Sequence, residues 1–235
     1  HVEFATNVSV AHTEQSGYND TVNENKNYYQ QYLNLNHGFY WPTDYKTGDP
    51  YTTKYGSASY NMVYYEKEQE NLSENLRISA TEKLTIHILD GLDLSSTFSF
   101  DNTETKDHVY YSRNHFSGVS DNGVVNEMTT NYQSILSSTV LSYNKTFKEK
   151  HTLSVLAGFE AEDKDTRFQR ATGKNLPSSS LHTVATAADY DANGYSWGNS
   201  MVSILSKAEY NYDGRYYISG SYRRDGSSKL SEAAR

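Results

Sequence analysis

Residues 76–100 read LRISATEKLTIHILDGLDLSSTFSF, and their side-chain pattern decides the fold class. Leu76, Ile78, Ala80, Leu84, Ile86 and Ile88 share one parity, interrupted only by Glu82. Arg77, Ser79, Thr81, Lys83, Thr85 and His87 take the other. After Leu89-Asp90-Gly91 the alternation resumes, with Leu92, Leu94, Phe98 and Phe100 against Asp93, Ser95, Thr97, Ser99 and Asp101. A period of two marks a strand with one apolar face, and two such runs around Asp-Gly form a hairpin. A two-residue Asp90-Gly91 turn would set Ile88 against Asp93 and mix the faces. A three-residue loop pairs Ile88 with Leu92, keeps both faces pure and puts Gly91 third, where a left-handed residue is wanted.

The same alternation appears on both sides of this hairpin. Val2, Phe4, Val8 and Val10 precede it on one parity. Ile135, Leu141, Tyr143 and Phe147 follow, then Leu153, Val155, Ala157 and Phe159, then Val202, Ile204, Ala208, Tyr210 and Tyr212, and finally Tyr216, Ile218 and Tyr222. The sequence therefore predicts about seven antiparallel strands and an all-β fold. Odd spacing also keeps Phe147 with His151, and Tyr212 with Tyr216, so the turns at 148–150 and 213–215 are read as three-residue loops. The face opposite the apolar one is dense in Ser, Thr, Glu, Lys and Arg, as a wet interior requires.

Connection lengths alternate as well. Tight turns at 89–91, 148–150 and 213–215 separate long polar segments at about 20–71, 112–131 and 166–199. Short turns on one rim and long loops on the other is the layout of an outer-membrane barrel, with the long loops extracellular. Seven such strands are too few to close a barrel that carries long loops, and a membrane does not tolerate unpaired strand edges. The reading is a segment of a larger transmembrane β-barrel.

Composition agrees without deciding. Hydrophobic residues make up only 36% of the 235, yet aromatics reach 14% with 22 Tyr, too aromatic for a disordered chain. A polar lumen with aromatic girdles gives this balance, but so does a Tyr-rich soluble β-sandwich. The absence of Cys removes disulfides and Cys-based metal sites. A net charge of −8 argues against nucleic acid. No apolar run is long enough for a transmembrane helix, and no signal peptide is visible at the start.

At this point the residues carry a likeness. Residues 216–228, YYISGSYRRDGSS, resemble the strand-and-loop motif of the SusC/RagA family of TonB-linked outer-membrane proteins. LSYNKTF at 141–147 leading into HTLSVLAGFE at 151–160 is similar to that family's hairpin, and AEYNY at 208–212 fits its approach to the last turn. The likeness covers residues 72–235; residues 1–70 are generic. Leu230 stands where the family carries an aromatic. The resemblance implies a 22-stranded barrel, of which residues 1–235 form a part, closed by a plug lying before His1. It also implies a SusD-like surface lipoprotein as lid, energy from the TonB complex, and import of a glycan or an oligopeptide across the outer membrane of a Bacteroidetes-like Gram-negative cell.

No catalytic residue, metal ligand or cofactor is assigned. Gly194-Tyr195-Ser196-Trp197-Gly198 matches a nucleophile elbow but lacks its strand-turn-helix setting. Asp189, Asp191 and Asn193 with Gly194 copy the start of a calcium loop, but Ser200 stands where the bidentate Glu belongs. The eight His are scattered, without H-E-x-x-H. Glu160 and Glu162 could be a carboxylate pair, but that chemistry needs a fixed spacing across a sugar. They are read instead as lumen-facing polar groups, with Arg223 and Asp225. Among the loop aromatics, Tyr29, Trp41, Tyr45 and Tyr55 are the candidates to contact substrate or lid. The rivals that stay open are a soluble carbohydrate-binding β-sandwich and a porin or adhesin barrel without TonB coupling.

Overall fold

The computed structural model describes residues 1–17, 43–52 and 61–230. Seven strands, β1 (Val2–Ser16), β2 (Gln69–Leu89), β3 (Leu92–Tyr111), β4 (Val124–Phe147), β5 (His151–Lys174), β6 (Asp189–Tyr212) and β7 (Tyr216–Ser227), form one sheet in sequence order. Every neighbouring pair is antiparallel. The expected all-β, seven-stranded meander is what the chain builds. Among the described residues, no helix is long and apolar enough to cross a membrane, which says nothing against crossing by strands.

The register keeps the two faces apart. Phe4 pairs with Leu84, Ile86 with Leu94, Leu94 with Leu141 and Leu141 with Ala157. Val155 pairs with Ala208, Phe159 with Ile204 and Tyr210 with Ile218. Exposure is inverted relative to a water-soluble protein. Phe159 is 50% exposed and Ile204 54%, while Ser203 between them on the other face is 1%. Ser203 is buried because Arg223 and Asp225 close over it on the polar face, whereas the apolar face is left open.

Two turns follow their parity. Phe147 pairs with His151 across Lys148 and Glu149, both at positive φ, and Tyr212 pairs with Tyr216 across Asp213 and Gly214, also at positive φ. The first hairpin differs from expectation. Leu89 pairs with Leu92 across a two-residue Asp90-Gly91 turn, and the ladder shifts between His87 and Leu89. Ile88 is the extra residue of a bulge, so His87 still faces Asp93 and Ile86 still faces Leu94. The need to keep the faces pure holds; a bulge in β2 meets it rather than a longer loop. Gly91 sits at φ +79 against the Asn144 carbonyl, where a Cβ would collide, and its own carbonyl accepts from the Asn144 N–H at 2.7 Å.

The strands are longer than expected and two of the connections correspondingly shorter. β4 begins at Val124 and β5 ends at Lys174, while β6 begins at Asp189. Much of residues 112–131 and 166–199, expected as loop, is therefore strand, leaving only 112–123 and 175–188 as connections. Hydrophobic alternation stops where a strand no longer meets an apolar medium. Past Phe100, β3 places Asn102, Glu104, Lys106 and His108 on the formerly apolar parity, yet its ladder to β2 continues to Tyr111.

Candidate functional site

Along the polar face, one cross-strand row joins Thr97, Ser138, Glu160, Ser203 and Asp225. Three of the residues expected to line the interior meet around it. Arg223 donates from Nε to Asp225 Oδ1 at 2.8 Å and from Nη2 to Ser203 Oγ at 3.1 Å, and its Nη1 lies 3.3 Å from Glu160 Oε2. Ser203 donates to Asp225, and Ser138 to Glu160 Oε1 at 3.3 Å. Glu162 stands apart, paired with Lys164 Nζ at 2.6 Å. Partly exposed pairs of this kind contribute at most about 1 kcal/mol each, so their effect is to fix a polar surface in place. Each carboxylate is engaged by its own cation, so Glu160 and Glu162 do not act as a free pair.

The candidate contact aromatics fare differently. Tyr45 is 84% exposed on a turn whose Asp44 carboxylate accepts from the backbone N–H groups of Lys46 at 2.7 Å and Thr47 at 3.3 Å. Those two bonds hold the Asp44 carboxyl below its ordinary range. Tyr29, Trp41 and Tyr55 lie outside the described residues. The calcium-like Asp189, Asp191 and Asn193, expected in a loop, open strand β6. They alternate along one extended face and do not wrap around a point, which removes the loop geometry a calcium site needs. Gly194 to Gly198 is likewise strand, so Ser196 has no elbow.

A second feature was not legible in the sequence. At the end of the sheet far from the tight turns, a small core forms from Tyr110, Val125, Leu176 and Ala187, with Val184 packed against it, and a second cluster of Val109, Tyr111 and Val124 lies on the other parity of the same strands. Tyr110 donates to the Ser179 carbonyl at 3.1 Å and stacks on His182 at 3.8 Å. His182 contacts Glu70 at 2.8 Å, whose other oxygen lies 3.4 Å from His108, which in turn contacts Glu127 at 2.7 Å. Arg113 caps the Leu176 carbonyl at 2.6 Å. Burial, reinforced by Glu68 and Glu70, raises the Tyr110 hydroxyl above its ordinary pKa, and burial alone raises that of Tyr111. The polar face also carries an apolar spot that the parity reading passed over: a Cβ on Gly158 would press on Leu205 and Val140.

Comparison with known proteins bears on this geometry. No family model matches the chain. Two TonB-dependent receptors of Formosa agariphila are similar to it, one 24% identical over 168 residues (68% of this chain, 16% of the receptor) and one 25% identical over 147 (61% and 15%). The RagAB peptide importer in its closed-closed state matches with a TM-score of 0.78 at 20% identity, over 99% of this chain and 26% of that one. By fold, the chain is similar to part of the RagA barrel. A second RagAB peptide transporter structure agrees, with a TM-score of 0.70 at 23% identity over 83% of this chain. The chain spans about a sixth of the length of the receptors it matches. The sequence-order meander with its apolar face exposed is in keeping with that likeness.

Proposed function

We propose that the chain is part of the wall of an outer-membrane nutrient importer of the TonB-dependent, SusC/RagA-like kind. The observation that carries the proposal is the band of outward apolar residues. It runs through residues 92–100 of β3 and 153–161 of β5, nine positions in each, with polar residues on the reverse face. A tilted strand needs about 9–11 residues to cross the hydrocarbon core. Tyr143, Tyr210, Tyr212 and Tyr216 cluster on the same face near the tight turns, where an aromatic girdle meets the headgroups.

In this reading residues 1–235 belong to a 22-stranded barrel whose plug, contacted by TonB, lies elsewhere in the longer protein. A SusD-like lipoprotein covers the rim that carries residues 17–68, 112–123 and 175–188. The cargo is an oligopeptide or a glycan, the first being what the RagAB importers carry. The chain's role is conduction rather than catalysis. Topology is tested by a tag at Gly48 and another at Gly91 in intact cells. Gly48 should be labelled from outside and Gly91 only after permeabilisation; equal labelling overturns the orientation. Cargo is tested by uptake of labelled peptide and glycan pools into cells with and without the intact gene. Unchanged uptake of both overturns the import reading.

A further inference from the structure

We infer that His1, Glu3 and His87 form a binding site for a divalent transition-metal ion on the polar face, oriented by Asp93. Strand pairing brings the three together from two strands: the His87 N–H donates to the His1 carbonyl at 2.9 Å, and Glu3 pairs with Thr85 one alternation away. His1 Nε2 lies 3.3 Å and His87 Nε2 3.4 Å from the same Glu3 oxygen, Oε1, and all three ligand atoms fall within 4.8 Å of one another. Zinc bonds of about 2.0–2.1 Å in a tetrahedron put neighbouring ligand atoms about 3.3–3.4 Å apart. Both histidine-to-Glu3 distances already stand at that spacing, the two histidine nitrogens lie within 4.8 Å of each other, and a fourth corner is left for water or another ligand.

The second observation is the state of His87. Its Nδ1 is held by Asp93 Oδ1 at 2.7 Å, the carboxylate–imidazole arrangement that fixes a metal-binding tautomer. Its Nε2 is shut off from solvent and has no hydrogen-bond partner among the described residues. In the tautomer that donates from Nδ1 to Asp93, Nε2 is the ligand atom, and it faces Glu3 Oε1 at 3.4 Å, so that a cation seated between them would be bound by both. The His1 ring, 5.2 Å from that of His87, closes the site from the side. Two imidazoles and one carboxylate favour Zn2+, Cu2+ or Ni2+ over Ca2+ or Mg2+, which prefer all-oxygen shells. The inference does not depend on what the barrel imports.

The test uses the intact outer-membrane protein purified in detergent, with Zn2+ titrated by calorimetry and Cu2+ followed by its nitrogen hyperfine pattern. Wild type should take up one Zn2+ with micromolar or tighter affinity, and Cu2+ should report two nitrogen ligands. His87→Ala and Glu3→Gln should abolish binding, while Asp93→Asn should weaken it about 10–100-fold, as loss of an orienting carboxylate does. Retention of the folded form on unheated gels separates lost ligation from lost fold. If His87→Ala unfolds, His1→Ala, at the most exposed ligand, replaces it. No Zn2+ uptake by wild type would mean that only a proton bridges His87 and Glu3, and overturns the site. Binding that survives removal of both His87 and Glu3 overturns it as well.

Discussion

The two ends of the sheet are stabilised in opposite ways. Near the tight turns the wall is a single layer, with Phe4, Phe159 and Ile204 exposed on one face and Ser203 buried on the other. At the far end, β3, β4 and the 175–188 connection form a small core whose Val125 and Leu176 are 0% and 1% exposed, as in a water-soluble protein. One continuous set of ladders passes through both. The difference teaches that hydrogen-bond pairing fixes the strands, whereas the surrounding medium fixes which residues face outward. A substitution should therefore change its effect according to the end it occupies.

The largest effect is expected in the far core. Leu176→Ala removes a side chain that packs over Gly123 and whose backbone carbonyl holds Arg113. It should cost the cap about 2–5 kcal/mol, the range for an emptied leucine site. Because the wall does not share this core, heat resistance of the barrel on unheated gels should persist. Protease cleavage within residues 175–188 should rise by orders of magnitude. Loss of barrel resistance together with the cap would break the separation of the two regions.

Val155→Arg probes the wall. Val155 is an outward residue paired with Ala208 and Tyr143. A cation there should cost about 2–4 kcal/mol if the position is near the bilayer midplane. Ser221→Arg, on the exposed polar face, should stay within about 0.5 kcal/mol. Urea unfolding in lipid vesicles compares them, and equal costs would remove the assignment of faces.

Legibility followed the same division. Strand number, order, facing and two of three turns could be read because the bilayer imposes alternation on every strand that crosses it. Parity put Glu160, Glu162, Arg223 and Asp225 on one face, but that Glu160, Arg223 and Asp225 meet around Ser203 is a matter of register, which parity does not give. Strand ends were not legible: beyond Phe100 and Ala161 both faces are polar, and a polar extended run carries no period to distinguish it from loop. The far core was hidden because Val125, Leu176 and Ala187 lie in short apolar patches without a period, brought together only by the fold. The metal-type cluster was hidden for the same reason, since His1 and His87 are 86 positions apart in sequence and meet only through the β1–β2 ladder.

Glu82 sharpens the comparison within the wall. It lies on the apolar parity opposite Phe98 and Thr6, where Thr6 Oγ1 donates to Oε1 at 2.6 Å and Oε2 has no partner among the described residues. An unpaired buried acceptor costs about 1–3 kcal/mol. Glu82→Leu should therefore stabilise the barrel by about 1 kcal/mol, the loss of the Thr6 bond offsetting part of the gain. A destabilised Glu82→Leu barrel would indicate that the carboxylate faces water and that the apolar band is interrupted there.

The smallest effect is a pH dependence confined to the far core. The hydroxyls of Tyr110 and Tyr111 are raised above the ordinary tyrosine value by burial, with Glu68 and Glu70 adding to the shift at Tyr110. A raised folded pKa means that the unfolded chain gives up these protons first as pH rises. Their contribution is therefore complete below about pH 10, the unfolded value, and is lost as pH climbs through the higher folded values. Amide exchange in residues 109–125 and 175–188, followed from pH 9 to 11.5 and corrected for intrinsic rates, should accelerate beyond that of residues 153–161. Tyr110→Phe with Tyr111→Phe should flatten this alkaline slope, because a phenyl ring fills the same space and has no proton to lose. An identical slope in the double variant would assign the alkaline loosening to another group and leave the core's dependence on these two hydroxyls unsupported.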